Sequence, residues 1–421
     1  MNKKAFINFL QNLTLLTLSF TAMLLLTQFP MLDGALSGRV RELLSVPEKS
    51  VHSAFDLTTA ITTVHFAVTD DSEYGRYTEI NAATDGAEFS RLSPVLRAAI
   101  GSAVPGRAAT QAELRTALAT PGIFVDLTTV LPVSVVAAWL GEDFSGGENI
   151  RALALTTVRE TAILFFILDD GSVMRCECAL SSSAVREVTA AFSPNAGQFA
   201  YESDYNTLAP YTILVQQVND AVQMEAAIPA GYSAYNLLTA LDFNAHTNAR
   251  YTESSGTEVV MQSPRMLRIG TDGTVQYSCD GEVTNALYRI ACAGETPSAA
   301  EAVQGACALA AALSQGTDAA PLSLDLVEQT ETGWTISFCY RMDGVRVRFS
   351  NERTALQVKI DGDMITKFEY YCRAYTPTQD RTVLLPPSMA VAIASMHENA
   401  ELTLSYVDNG AAVIGAHWFA Q

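Results

Sequence analysis

Carboxylates and histidines are the residue types in this chain best placed to do chemistry. Asp70-Asp71-Ser72-Glu73, Glu142-Asp143 and Asp169-Asp170 each set acidic groups side by side. A carboxylate pair can run glycoside hydrolysis as acid and base, or share a calcium ion. Each cluster, however, sits in a turn-like stretch, and none follows the spacing of a calcium-binding loop. A chain with 45 acidic residues also brings carboxylates together by composition alone. They read as solvated turns. The five histidines, His52, His65, His246, His397 and His417, have no second His, Cys or carboxylate at zincin spacing. His65 stands mid-strand in TTVHFAV and His417 beside Trp418, positions that suit packing roles. No G-x-S-x-G elbow, S-x-x-K motif, Walker loop or dinucleotide-type glycine pattern occurs, and FSGGENI reads as a linker rather than a phosphate cradle. The expectation is a non-enzymatic protein with no catalytic, cofactor-binding or metal-ligating residues.

Seven cysteines make an odd number, so at least one stays outside any intrachain pairing. Cys176-Glu177-Cys178 occupies a strand-like run where i and i+2 share a face in a geometry unsuited to a disulfide, and it lacks a second pair at metal-ligand spacing. Small buried thiols are the expected role. Cys279 with Cys292, and Cys339 with Cys372, could bridge neighbouring strands; the sequence leaves that connectivity open.

A different kind of polar residue stands in FINFLQNLTLLTLSFTAMLLLTQF, where Asn8, Gln11 and Asn12 interrupt an apolar run. The uncharged stretch from Ala5 to Gln28 is about 36 Å long as a helix, against roughly 30 Å of bilayer hydrocarbon. A secretory signal is shorter and ends in a small-x-small site, for which Ala35-Leu36-Ser37 is a poor candidate. Lys3 and Lys4 precede the run and no acidic residue occurs before Asp33, which places the N-terminus in the cytoplasm. On a helical wheel Asn8, Asn12 and Ser19 share one stripe, with Thr14, Thr17 and Thr21 nearly opposite. Amides facing another helix exchange hydrogen bonds, whereas amides facing lipid are costly. Asn8, Asn12 and Ser19 are therefore the expected partner-contact residues of a transmembrane helix.

The chain has 421 residues, 49% hydrophobic and 17% charged, which is apolar enough to fold and too poor in charge to be disordered. With the two lysines set aside, 24 basic residues stand against 45 acidic ones, a net charge of −21. Such a body repels nucleic acid and anionic membrane, so no nucleic-acid partner is expected. Residues 1–4 are read as a cytoplasmic tail, 5–30 as a transmembrane helix and 31–56 as a juxtamembrane linker. Within 57–146, strand-like TAITTVHFAV precedes FSRLSPVLRAAIGSA, apolar at helical spacing. The capping box Thr110-x-x-Glu113 then opens a helix ended by Pro121-Gly122, and strand GIFVDL and helix LPVSVVAAWLG close the unit. A second unit, 147–231, starts with two long strands, IRALALTTVRETAILFFILD and SVMRCECALS, turning at Asp170-Gly171, before a helix in SSAVREVTAAF.

The region 232–421 repeats the hairpin signal at Asp272-Gly273, Asp343-Gly344 and Asp361-Gly362. It also holds a helix in PSAAEAVQGACALAAALSQG, with Pro297 at its start and Gly316 just past its end. Two subdomains split near residue 318 would accommodate the short meanders. The C-terminal ELTLSYVDNGAAVIGAHWFAQ reads as a closing strand pair. The fold class is α+β: a transmembrane helix followed by a multi-domain body of antiparallel meanders with packed helices.

Three stretches carry a resemblance: LLTALDFNAHTNARYTESSGTEVVMQSPRMLRIGTDGTVQYS (237–278), GWTISFCYRMDGVRVRF (333–349) and ALQVKIDGDMITKFEYYCRAY (355–375). They are similar to the YycH/YycI regulators of Firmicutes, over mainly residues 235–375. The resemblance implies a single-pass protein of the cell membrane with a cytoplasmic N-terminus and an extracytoplasmic body. It implies partners in a sensor histidine kinase of a two-component system controlling cell-wall metabolism, and in a paralogous membrane-anchored regulator. It carries no catalytic residues and no cofactor. A membrane-tethered cell-envelope hydrolase or ligand-binding protein is the alternative; a metal or a deep pocket lined by carboxylates would favour it.

Overall fold

The computed structural model describes residues 56–72, 75–144, 146–204, 208–214, 220–294, 296–397 and 400–420. The expected span with Asn8, Asn12 and Ser19, the tail before it and the linker up to residue 55 lie outside these residues. Among the described residues no helix is long and apolar enough to cross a membrane.

The first sheet grows from the apolar runs of the N-terminal half. Its elements are α1 (Leu57–Ala60), β1 (Thr63–Thr69), β2 (Arg76–Ala83), α2 (Ala87–Gly101), β3 (Val104–Ala109), α3 (Gln111–Leu118), β4 (Gly122–Pro132), α4 (Val133–Trp139), β5 (Asn149–Val158), β6 (Thr161–Leu168), β7 (Val173–Ser181) and α5 (Ser182–Thr189). Seven antiparallel strands run in the order β2-β1-β4-β5-β6-β7-β3. The run TAILFFIL in β6 is apolar without alternation because both faces are covered. Leu164 and Phe166 face the main core with α2, α4 and α5, while Ile163, Phe165 and Ile167 join a smaller core under α3. α2 spaces Phe89, Leu92, Val95, Leu96, Ala99 and Ile100 along its buried face. The capping box of α3 forms as expected: Thr110 Oγ1 accepts from Glu113 N–H at 3.1 Å, and the Glu113 carboxylate accepts from Thr110 N–H at 3.0 Å.

IRALALTTVRETAILFFILD is not one long strand. It folds back on itself as β5 and β6 through Arg159-Glu160, with Val158 opposite Thr161. Arg159 takes φ +57° there, a left-handed position filled without the glycine or asparagine that usually marks such a turn.

The rest of the described chain contains β8 (Gln198–Phe199), β9 (Ile213–Leu214), β10 (Ala221–Ala227), α6 (Ala234–Ala240), β11 (Arg250–Thr252), β12 (Glu258–Gln262), β13 (Arg265–Ile269), β14 (Thr274–Cys279), α7 (Ala299–Thr317), β15 (Leu322–Gln329), β16 (Gly333–Met342), β17 (Val345–Phe349), β18 (Leu356–Asp361), β19 (Met364–Tyr371), β20 (Ala374–Thr382), α8 (Pro387–Ala394), β21 (Leu402–Asp408), β22 (Val413–Ile414) and β23 (Ala416–Ala420). Eleven strands form a sheet in the order β11-β12-β13-β14-β19-β18-β16-β17-β21-β23, with β15 on β16. The β17–β21 pair is parallel. β10 lies between β20 and β22 in a three-stranded sheet, and β8 pairs β9. α7 buries Ala302, Val303, Ala306, Cys307, Leu309, Ala310 and Leu313 in the main core.

The helix α7 runs through Gly316 to Thr317, and Asp318 takes the left-handed cap at φ +53°. Gly316 serves a different need, because a Cβ there would meet the Ala240 Cβ of α6 at 2.8 Å. All three expected hairpins form. Both residues have positive φ only at Asp343-Gly344; at the other two the glycine alone does, and the β18–β19 turn places Gly362 first and Asp363 second. The open question of disulfides is answered in the negative: all seven cysteines are free thiols. The first sheet continues through residue 146, since β4 pairs β5, and the second takes strands from both sides of residue 318. Ser53–Gln421 forms one compact unit.

Candidate functional site

Two irregularities in the first sheet prepare a cleft against the second. In β4 the ladder with β5 is interrupted between Asp126 and Leu131, and Thr128 takes φ +60°. A β-branched residue in this region is a backbone outlier. The Asp126 carboxylate holds it there by accepting from Thr128 N–H at 2.8 Å. The second irregularity is in β2, where Asn81 takes φ +55° and donates its N–H to His65 Nδ1 at 2.8 Å. That bond places the proton of neutral His65 on Nε2. His65 lies directly across from Asp126 in the β1–β4 register. Burial holds the His65 pKa below its usual 6.5, with Asp126 opposing the shift.

The β16–β17 hairpin meets these two distortions. Its turn, Asp343-Gly344, approaches Asn81 so closely that a Cβ on Gly344 would sit 2.3 Å from the Asn81 carbonyl oxygen. Behind the turn, Arg341 donates from Nη2 to Thr128 Oγ1 at 2.7 Å and from Nη1 to the Gly344 carbonyl at 3.4 Å. Arg346 pairs with Asp325 at 2.5 Å. Asp325 lies at an irregularity of β15, and its carbonyl accepts from the Thr129 hydroxyl of β4. Arg348 donates from Nε to Ser405 Oγ of β21 at 3.1 Å and lies over the Phe419 ring, 5.0 Å from its centre. Burial, and then the neighbouring Arg346, pull the Arg348 pKa below its ordinary value. Arg151 of β5 is paired with Glu401 across the same gap.

His65, Asp126, Thr128, Arg341, Arg346 and Arg348 are among the residues that line a cleft of about 220 Å³ between the two sheets. Its cations are Arg341, Arg346 and Arg348 on one hairpin face and Arg151 on β5, and the carboxylates Asp126, Asp169 and Glu401 line it as well. Each guanidinium there presents donors in a planar fork whose geometry matches the paired oxygens of a carboxylate or phosphate.

The residues singled out in the sequence fare unevenly. His65 and Asp169 line the cleft. Asp70 accepts from Ser72 within its own turn and Asp71 pairs with Arg186, while Ser172 holds the Asp170 carboxyl below its usual range. His417 is exposed on β23, and Trp418 donates to the Leu385 carbonyl at 3.0 Å. Asn8, Asn12 and Ser19 lie outside the described residues. Arg341, Arg346, Arg348, Thr128 and Asp325 were missed, although YRMDGVRVRF carries a legible sign: a two-residue turn sets Arg341 opposite Arg346. No family model, curated protein or solved structure matches this chain.

Proposed function

We propose that this chain is a membrane-tethered extracytoplasmic regulator of a sensor histidine kinase, and that its body acts as a ligand-responsive binding module. The observation that carries the reading is the position of the arginine-lined cleft in the seam between two sheets, with contacts such as Arg341–Thr128 and Arg151–Glu401 crossing it. A ligand that engages these cations competes with bonds between the sheets. Occupancy thereby biases their relation, which is how a binding event becomes a signal. The resemblance of residues 333–349 to the YycH/YycI regulators supports the same reading, since that stretch supplies Arg341, Arg346 and Arg348. The membrane helix, through Asn8, Asn12 and Ser19, makes the contact with the kinase.

The test is reconstitution of the full chain in lipid nanodiscs with each sensor histidine kinase of its own cell. One kinase is expected to co-purify and to change its autophosphorylation rate. The double change Asn12→Leu and Ser19→Leu removes two interhelical hydrogen bonds worth ~0.6 kcal/mol each, so association falls about sevenfold. If no kinase changes its rate or is retained, the regulator reading is wrong.

A further inference from the structure

Arg341 and Arg346 stand directly opposite each other across the Asp343-Gly344 turn, and Arg348 follows two residues on. Alternation along a strand therefore sets three guanidinium groups on one face of a single hairpin. Like charges directly opposite repel. Asp325 neutralises Arg346, but among the described residues Arg341 and Arg348 have no ion-pair partner. Their side-chain contacts at the cleft are neutral: a threonine hydroxyl, a carbonyl and a serine hydroxyl. The buried Nε groups of Arg341 and Arg346 have no acceptor among the described residues. The hairpin face thus carries three guanidinium groups against one paired carboxylate, Asp325, while Asp126, Asp169 and Glu401 line the rest of the cleft beside Arg151.

We propose that this face binds the oxyanion group of a small solute, a phosphate or a carboxylate, held by Arg341, Arg346 and Arg348. The inference rests on the ligand-responsive reading above and names the chemistry of its ligand. The cleft, about 220 Å³, has room for an oxyanion carrying a short organic group. Arginine suits the task because each fork can pair two oxygens at once. The acidic remainder of the body opposes approach of anions from a distance, so selection comes from short-range fit rather than attraction.

Isothermal titration of the full chain in detergent, at constant ionic strength, with inorganic phosphate and separately with succinate tests this. Saturable binding of at least one is expected, and the silent one identifies which group the site rejects. Arg348→Gln is expected to weaken binding roughly tenfold or more, Arg341→Lys to weaken it less by keeping charge without the fork, and Arg289→Gln to leave it unchanged. Arg289 is the control because it is exposed and paired with Asp363 outside the cleft. Urea midpoints of the variants show whether each still folds, and a loss of binding counts only in a folded variant. No saturable binding of either anion, or equal binding by the parent, Arg348→Gln and Arg341→Lys chains, overturns the proposal. A chain that binds neither anion yet alters kinase autophosphorylation sinks this inference alone, whereas anion binding without any kinase effect sinks the regulator reading alone.

Discussion

Replacing Gly344 by alanine tests whether the β16–β17 turn is seated against the first sheet. Two effects add at this site. The turn requires φ +79° at residue 344, where an L side chain costs roughly 1–2 kcal/mol. The new Cβ would also lie 2.3 Å from the Asn81 carbonyl oxygen and 2.9 Å from the Asn81 Cβ. Carbon–oxygen contacts settle near ~3.3 Å, so the turn must retreat by about 1 Å. Overpacking of this kind typically costs ~1–3 kcal/mol. Retreat also draws Arg341 away from Thr128, whose hydrogen bond is 2.7 Å long. The expected loss is therefore about 2–5 kcal/mol.

Gly362→Ala supplies the matched control. That residue also has positive φ, +60°, but nothing lies within 4 Å of its added Cβ. Only the backbone cost of ~1–2 kcal/mol applies there. Urea unfolding of the two variants, followed by tryptophan fluorescence, measures the difference directly. Equal losses for Gly344→Ala and Gly362→Ala would show that the turn does not press on Asn81, and the description of the seam would fail with it.

Asp408 is 3% exposed, pairs with Arg373 at 3.3 Å and accepts from the Tyr375 hydroxyl at 3.0 Å, so Asp408→Ala should cost about 3–5 kcal/mol in urea unfolding and Tyr375→Phe only ~1 kcal/mol. Because His65 has a lowered pKa in the fold, the unfolded chain binds the extra proton; His65 favours the folded state fully above pH 6.5 and loses that advantage as pH falls towards its folded pKa. Unfolding midpoints at pH 7.5 and 5.5 should thus differ more for the parent than for His65→Gln. Burial pushes the Cys176 and Cys339 thiols up to about 11 and Cys307 higher still, while Cys178 and Cys292 are half-exposed. Iodoacetamide at pH 8 should label Cys292 and Cys178 first and all seven thiols in urea; fewer than seven in urea without reductant would reveal a disulfide.

Local chemistry was legible in the sequence wherever a single segment decides it. Thr110 and Glu113 mark their helix start because a capping box needs only four residues, and each Asp-Gly dipeptide marks a turn because the glycine relieves a local steric cost. The β5–β6 turn escaped notice because Arg159 bears its left-handed conformation without a compositional sign. Gly316 misled for the opposite reason: its lack of a side chain serves packing against Ala240, not the end of a helix. The cleft could not be read in full, since His65, Asp126, Thr128 and Arg341 come together only when two sheets meet. Thr128 is the clearest instance, a common residue made unusual by a backbone angle imposed from outside its own segment.

The last strands close two sheets at once: β22 lies along β10 in the three-stranded sheet, and β23 lies along β21 in the eleven-stranded one. A chain clipped before Val413 would leave both inner neighbours with raw hydrogen-bonding edges, at places far apart in sequence. The closing residues thus cover two sheet edges at once. A protease or chaperone that surveys unpaired strands would meet the clipped molecule at two bared edges, one on β10 and one on β21.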